Sequence, residues 1–241
     1  MTRPVVCTPL LAEYVALHRA VRRVTPDGSI RVLRTGMGPR RSQASVAGRS
    51  AFVSAVLVAG VAGALDPGLR PGEVVVATSV SDEAGRLIHC PTAPLLAALL
   101  RQGGLSAHLG SIVCTPRLGG EGTRRALAST GALAVEMEST DLADLATGHP
   151  FAVLRVIVDT PDAPLLRLGT IARGVRALRV LHRCAPAIAE WSAVAAAQSA
   201  EIPAEHADAW PETAGAATYR DDRAEGIDRA APRLPAPREV T

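Results

Sequence analysis

The feature that most constrains the fold is a series of short apolar runs that alternate with segments of helical periodicity. Ala55 to Ala59 is continuously apolar, and the Val-rich runs Glu73 to Ser79 and Phe151 to Val158 are similar. Continuous apolar runs of this length are typical of strands that are buried on both faces of a sheet. Leu10 to Val24 and Leu168 to Trp191 instead have the spacing of amphipathic helices. The alternation predicts a single α/β domain with a central mixed, mostly parallel β-sheet flanked by helices.

Weaker patterns complete this prediction. We expect further strands at Pro4 to Cys7, Ile30 to Arg34, Ser111 to Cys114 and Ala132 to Val135, and helices at Ser42 to Ser50 and Pro94 to Arg101. Glycines follow several of these strands. Gly38 lies in a Gly-Met-Gly-Pro turn, and Gly60 and Gly63 are expected at or beyond a strand end. Open α/β sheets bind ligands at such ends, although ordinary turn glycines would produce the same pattern.

The composition changes near Ala195. Residues 195–241 contain nine acidic residues and five arginines, are rich in Ala and Pro, and lose the helical periodicity. Such a segment buries too little apolar surface to offset the entropy of ordering it. We therefore predict a domain over residues 1–194 and a mostly disordered tail over 195–241, with a short helix around Glu201 to Trp210.

Composition also excludes several classes of function. The net charge of +3 is too small to indicate nucleic-acid binding, and the 26 basic residues include no lysine for Schiff-base or P-loop chemistry. The four cysteines and six histidines show no metal-ligand spacing, so we expect no metal and no cofactor. Ser139 lacks the Gly-x-Ser-x-Gly context of a serine hydrolase. The N-terminus shows no secretory apolar region, which predicts a cytoplasmic protein.

Two carboxylates flank a methionine in the run Ala134 to Ser139. Glu138 in this position can accept hydrogen bonds from a sugar diol, while the thioether of Met137 lies on the apolar face of the sugar. The alternative is a charged first turn of the next helix. For Glu136, the expectation is an exposed or capping carboxylate.

Two other carboxylates follow predicted strands. Asp159 ends the run Phe151 to Val158, and if burial raises its pKa it can protonate the nitrogen of a leaving purine. The alternative is a loop aspartate before Pro161. Glu13 lies shortly after the first strand, where a solvated glutamate on a helix face is the alternative interpretation.

The order and spacing of these segments, over roughly residues 3 to 192, resemble the purine nucleoside phosphorylase and nucleosidase superfamily. The resemblance implies that Asp159, in an Arg-x-Ile-x-Asp segment, is the general acid and that Glu13 activates water. It implies that Glu138 and Met137 bind the ribose, and that the substrate site also includes Gly38, Val61, Gly63 and Arg155. A homo-oligomeric enzyme acting on a small nucleoside is expected.

The nucleophile is either water or phosphate. Phosphorylases of this superfamily place an arginine and a hydroxyl residue on the phosphate, and this chain has Val58 and Val61 at the matching positions. Valine side chains cannot donate hydrogen bonds to a buried anion, which favours hydrolysis. Arg40 and Arg41 follow the glycine turn and leave phosphorolysis open.

Within the superfamily, the chain is most similar to the hopanoid-biosynthesis-associated nucleoside phosphorylases. The similarity lies in Gly-Met-Gly-Pro at residues 36–39, Gly-Ala-Leu-Asp-Pro-Gly-Leu-Arg-Pro-Gly-Glu at 63–73 and Thr-Gly-Ala-Leu-Ala-Val-Glu-Met-Glu-Ser at 130–139. It implies release of adenine from adenosylhopane, a lipid-linked substrate, with peripheral membrane contact and an apolar mouth at 164–166. A methylthioadenosine or adenosylhomocysteine nucleosidase and an inert nucleoside-binding protein are the alternatives.

Overall fold

The computed structural model describes residues 2–46, 50–116, 121–160 and 170–201. Eight strands share one sheet: β1 (Arg3–Thr8), β2 (Arg31–Arg34), β3 (Val53–Ala64), β4 (Val74–Asp82), β5 (Leu87–His89), β6 (Ala107–Cys114), β7 (Ala134–Glu136) and β8 (Phe151–Asp159). The helices are α1 (Leu11–Val24), α2 (Pro39–Val46), α3 (Ala93–Gln102), α4 (Glu121–Ala128), α5 (Ser139–Leu142), α6 (Thr170–Arg183) and α7 (Ala185–Glu201). Short 3₁₀ helices occupy Ser50–Phe52 and Ala143–Ala146.

Five of the strands close into a ring. β3 pairs in parallel with β8, β8 pairs antiparallel with β4, β4 pairs in parallel with β6, β6 with β7, and β7 returns antiparallel to β3. β1 and β2 extend the sheet beyond β3, and β5 forms an antiparallel edge on β4. The mixed, mostly parallel α/β sheet expected from the sequence is confirmed.

Strands β3 and β8 form the centre of the core. Every residue of β8 is buried, and so are the first eight residues of β3. Strands flanked by neighbours on both sides and covered by helices on both faces are expected to be this apolar. The buried side chain of Trp191 on α7 contributes to the same core. No helix among the described residues is both long and apolar enough to cross a bilayer.

Several predicted boundaries differ from the structure. β3 continues to Ala64, so Gly60 and Gly63 lie inside a strand and not at or beyond its end. The helix expected at Ser42 to Ser50 begins at Pro39, because proline fits the first turn of a helix. It is described as far as Val46, and residues 47–49 lie outside the described residues. The helix expected from Leu168 to Trp191 is two helices that meet at Cys184.

The predicted tail begins inside a helix. α7 continues to Glu201, and the side chain of Ala195 is buried, so residues 195–201 are helical. The rest of the predicted tail, including most of the short helix expected around residues 201–210, lies outside the described residues.

All four cysteines are buried and free.

Candidate active site

The predicted site residues converge at the carboxyl ends of the central strands. β1, β3 and β8 run parallel, so Thr8, Ala64 and Asp159 lie at the same edge of the sheet. Glu13 enters from the first turn of α1, which follows β1, and Glu138 follows β7, which pairs with the end of β3. This edge is where ligands bind to open parallel sheets.

Glu13 is held by backbone hydrogen bonds at both carboxylate oxygens. Its Oε2 accepts a 2.8 Å hydrogen bond from the N–H of Leu10, and its Oε1 accepts one of 2.8 Å from the N–H of Val61. The side chain is buried, which rules out the alternative interpretation of a solvated glutamate on a helix face. Burial raises the pKa of Glu13, although Arg155 and the two backbone donors oppose the increase. A raised pKa brings a carboxylate closer to the range in which it can act as a base near neutral pH.

Glu136 and Arg155 form a buried ion pair close to the carboxylate of Glu13. Arg155 Nη2 donates to Glu136 Oε2 and to Ser139 Oγ, the second at 3.0 Å. Glu136 also accepts hydrogen bonds from the backbone N–H groups of Glu138 and Ser139, the residues that begin α5. Glu136 is therefore a capping carboxylate, but a buried one, and the expectation that it is exposed is wrong.

Glu138 lies next to this ion pair. Its Oε1 accepts a 3.0 Å hydrogen bond from the N–H of Gly38, and its Oε2 lies 3.7 Å from Arg155 Nη2. The pKa of Glu138 is raised to about 7, mainly by burial. Arg155 opposes this increase, and the negative charge of Glu136 adds to it. Gly38 has a positive φ of 85°, the left-handed region that glycine adopts without steric cost, and this conformation presents its N–H to the carboxylate.

Arg155 is buried at the centre of the group. Burial disfavours its charge, but Glu136, Glu138 and Glu13 outweigh that effect and raise its pKa. The guanidinium faces the three carboxylates, so its positive charge is shared among them. Each carboxylate is thereby kept in the protein interior beside a compensating charge.

Asp159 has a partner that the sequence did not indicate. Arg124 Nη1 lies 2.6 Å from Asp159 Oδ2, and Arg124 Nη2 donates a 3.4 Å hydrogen bond to the carbonyl of Ala64. Arg124 comes from α4, a polar helix in which no motif distinguishes this arginine from its neighbour Arg125. Asp159 itself is buried at the end of β8, so it is part of the sheet edge and not a solvated loop residue.

The two glycines of β3 leave space for these charged groups. A Cβ atom at Gly60 would lie 2.6 Å from Arg155 Nη1 and 2.7 Å from Glu13 Oε1. A Cβ at Gly63 would collide with Arg124 Nη2 and lie 2.9 Å from Asp159 Oδ1. Gly60 therefore accommodates the Glu13 end of the site and Gly63 the Asp159 end. The two ends are three residues apart on one strand, roughly 10 Å at the usual rise of a β-strand.

The residues considered for phosphate provide no buried side-chain donor. Val58 is fully buried inside β3, and Val61 contributes its backbone N–H to Glu13. Arg40 and Arg41 are exposed on α2. Met137, the predicted sugar contact, is half-buried beside Glu138. The apolar mouth predicted at residues 164–166 lies outside the described residues, where the structure provides no test. Among the described residues, no cluster of His, Cys, Asp and Glu has the arrangement of a metal site.

The sequence profile of the Phosphorylase superfamily matches residues 16–190. No curated protein sequence matches the chain at a significant level.

Solved structures share the fold at low identity. The 5'-methylthioadenosine/S-adenosyl homocysteine nucleosidase of Helicobacter pylori is 19% identical, with a TM-score of 0.63 over 79% of this chain and 97% of that one. The corresponding nucleosidase of Campylobacter jejuni is 14% identical, with a TM-score of 0.66 over 79% and 98% of the two chains. The futalosine hydrolase of Helicobacter pylori is 18% identical, with a TM-score of 0.64 over 79% and 97%. At these identities the similarity establishes the fold.

Proposed function

The chain belongs to the Phosphorylase superfamily, which supports an N-ribosyl hydrolase or a nucleoside phosphorylase. We propose that it cleaves the N-glycosidic bond of an adenine nucleoside by hydrolysis. One observation supports the proposal most strongly. A buried carboxylate with a raised pKa, Glu13, lies beside Gly60 of β3, and a second buried carboxylate, Asp159, lies beside Gly63 of the same strand.

In the proposed reaction Glu13 removes a proton from water, and the oxygen of that water forms a bond to the anomeric carbon of the ribose. The bond from that carbon to the purine nitrogen breaks, and Asp159 supplies a proton to the departing adenine. Both backbone hydrogen bonds to Glu13 orient the base before the substrate arrives. The products are adenine and a ribosyl compound with a free anomeric hydroxyl.

Glu138 is proposed to hold the ribose hydroxyls between the acid and the base. Its Oε1 is already oriented by the N–H of Gly38, which leaves further lone pairs of the carboxylate for a diol. Met137 immediately precedes Glu138 in the chain and supplies an apolar contact for the sugar face. Positive charge that develops on the ribose during bond cleavage is stabilised by this carboxylate.

Water is the proposed nucleophile because the described residues near Glu13 offer a phosphate dianion little compensation. Val58 and Val61 present no side-chain donors, and the guanidinium of Arg155 is already used by carboxylates. Desolvating a dianion in such surroundings is strongly unfavourable. The test is the identity of the sugar product with and without phosphate. A free ribosyl product at equal rates in both is expected, and a ribose 1-phosphate ester as the main product would contradict hydrolysis.

Asp159→Asn tests the acid. Loss of a well-placed general acid should lower kcat by roughly 10²- to 10⁴-fold, whereas near-normal adenine release from a saturating substrate would remove Asp159 from the mechanism.

For the substrate we propose adenosylhopane, which would yield ribosylhopane and adenine. Leu10 and Leu11, at the start of α1 and within three residues of Glu13, have 36% and 54% of their surface exposed, and they offer apolar contacts to a large 5' substituent. The alternative is a methylthioadenosine or adenosylhomocysteine nucleosidase, which the fold of the solved relatives fits equally well. Adenine release measured in parallel from nucleosides with a methylthio, a homocysteinyl and a triterpenoid 5' group separates these substrates. Nucleoside binding without any adenine release would instead favour the inert nucleoside-binding alternative.

We further propose a cytoplasmic homo-oligomer. We also propose that the tail predicted over residues 195–241, whose first seven residues belong to α7, is dispensable for folding. Light scattering of the full chain measures the oligomeric state.

A further inference from the structure

Two helices next to the site present a basic outer surface. The exposed arginines on them are Arg19, Arg22 and Arg23 of α1 and Arg176, Arg179 and Arg183 of α6. α6 contains no acidic residue, and the one acidic residue of α1, Glu13, is buried in the site. The two helices therefore expose positive charge without compensation from their own residues.

Apolar side chains lie among these arginines. On α1, Leu11 and Val15 have 54% and 37% of their surface exposed, and on α6, Ile171 and Val175 have 83% and 41% exposed. Four exposed aliphatic residues on two adjacent helices are more than the scattered apolar residues of an ordinary surface.

A groove joins the two helices. Val175, Leu178 and Arg179 line it from α6, opposite Ala16 of α1, and its volume is about 500 Å³. The Nδ1–H of His182 donates a 3.2 Å hydrogen bond to the carbonyl of Ala16, which connects the helices beneath the groove. Val175, Arg179 and Arg183 thus share one groove, and we call the outer surface of these two helices the α1–α6 face.

We propose that the α1–α6 face docks on the surface of an anionic bilayer. A helix that combines exposed arginines with exposed aliphatic side chains has the composition of an interfacial helix, which inserts its apolar residues at the headgroup boundary while its cations contact lipid phosphates. On α6 the exposed aliphatic residues Ile171 and Val175 come first, and the exposed arginines Arg176, Arg179 and Arg183 follow them.

Charge argues against the other occupants. A second copy of the chain that bound through the same face would bring these arginines against one another, which opposes symmetric pairing. A nucleic acid would be matched by aromatic side chains that stack on bases, and the described exposed positions of α1 and α6 carry none. A bilayer with anionic headgroups is complementary to both the charge and the aliphatic residues.

This inference deepens the proposed function and rests on its lipid-linked substrate. Leu11 of the α1–α6 face lies two residues from Glu13 in the chain. Docking of this face would place the entrance of the site at the bilayer, so that a nucleoside with an apolar 5' group could reach the carboxylates while its apolar part stays in lipid.

The test is co-sedimentation of the full chain with vesicles of phosphatidylglycerol and phosphatidylcholine in equal parts, and with vesicles of phosphatidylcholine alone. We expect binding to the anionic vesicles that weakens as salt increases. The double variant Arg179→Glu/Arg183→Glu should bind at least roughly 10-fold more weakly. The matched control is Arg3→Glu/Arg31→Glu, which makes the same charge change at exposed positions of β1 and β2 and should bind within about 2-fold of the natural chain.

The proposal is overturned if the natural chain does not bind anionic vesicles, or if the control loses as much binding as the α6 variant. It is also overturned if the α6 variant changes the oligomeric mass in solution and leaves vesicle binding unchanged, because a second copy then occupies the face. Adenine release from a water-soluble adenine nucleoside is measured on the same samples. Vesicle binding without adenine release contradicts only the proposed reaction, whereas adenine release without vesicle binding contradicts only the docking.

Discussion

Arg124 Nη1 lies 2.6 Å from Asp159 Oδ2, so a cation from α4 holds the carboxylate that we propose as the general acid. Asp159 is buried at the end of β8, and Arg124 is the charge that compensates it there. The proton donor of the proposed reaction therefore depends on a residue from a different element, 35 positions earlier in the chain.

Arg124→Ala should reduce kcat by on the order of 10²-fold, because an unrestrained Asp159 side chain no longer meets the leaving base in one geometry. kcat and Tm are measured for the natural chain and for the variant. Arg125→Ala, the adjacent exposed arginine of the same helix, is the control and should leave kcat unchanged. An equal loss of kcat in both variants would contradict a specific role of Arg124.

Gly63→Ala should reproduce the effect of Arg124→Ala on activity. The added Cβ would collide with Arg124 Nη2, so the arginine would have to leave Asp159. Gly122→Ala is the matched control, since a Cβ at Gly122 meets nothing within 4 Å and lies in the helix of Arg124. Comparison of kcat and Tm across the three variants checks the steric argument. A normal kcat in Gly63→Ala would contradict the prediction, because activity would then survive displacement of Arg124 from Asp159.

Substrate affinity should increase as pH rises through about 7, because the pKa of Glu138 is raised to about 7 and only its ionised form is a strong acceptor for a sugar diol. At one pH unit below this pKa about a tenth of the carboxylate is ionised, so the dissociation constant should be about 10-fold higher there than well above pH 7. Titration of an adenine nucleoside across this range measures the dependence. Glu138→Gln should bind weakly and independently of pH, and a dependence that survives in this variant would assign the titration to another group.

The raised pKa of Glu138 also affects stability. The carboxyl takes up protons more readily in the folded state than in the unfolded one, so its contribution to the free energy of unfolding is fully present at low pH and is lost as pH rises through about 7. Urea unfolding of the natural chain should therefore show stability falling between about pH 5 and 7 relative to Glu138→Gln. Parallel pH curves for the two proteins would contradict this linkage.

Removing Arg155 should be the most damaging change for folding. Arg155→Met leaves Glu136, Glu138 and Glu13 buried without their shared cation, which should lower the free energy of unfolding by about 3–5 kcal/mol. Adding Glu136→Gln removes one of these charges, so the double variant should lose less stability than the two single variants added together. Urea unfolding of the four proteins completes the cycle. Additive losses would show that Arg155 and Glu136 are not energetically coupled to each other.

The sequence predicts the parts of this site that local patterns mark. Glu13, Glu138 and Asp159 each follow a predicted strand. The parallel pairing of β1, β3 and β8 brings Glu13 and Asp159 to one sheet edge. No local pattern predicts the role of Arg124, because that role depends on a contact with Asp159, a residue far from it in the chain.

Other differences also have physical reasons. Glu136 ends a three-residue strand, too short for alternation to show that its side chain is buried, and only Arg155 makes that burial tolerable. Gly60 and Gly63 read as strand-ending glycines, but their function in β3 is to leave room for charged side chains. The break at Cys184 did carry a signal, since Pro186 fits the first turn of a new helix and not the interior of a continuous one.

The ring formed by β3, β8, β4, β6 and β7 has a consequence for how activity first appears during folding. β8, which carries Arg155 and Asp159, is the last strand among the described residues, and it lies between β3 and β4. A ribosome must therefore release most of the domain before either residue can reach its partners, and long-range strand pairing of this kind is slow. Adenine release during refolding should then appear only with the last, global phase, so that enzymatic turnover is itself a measure of the fully folded fraction.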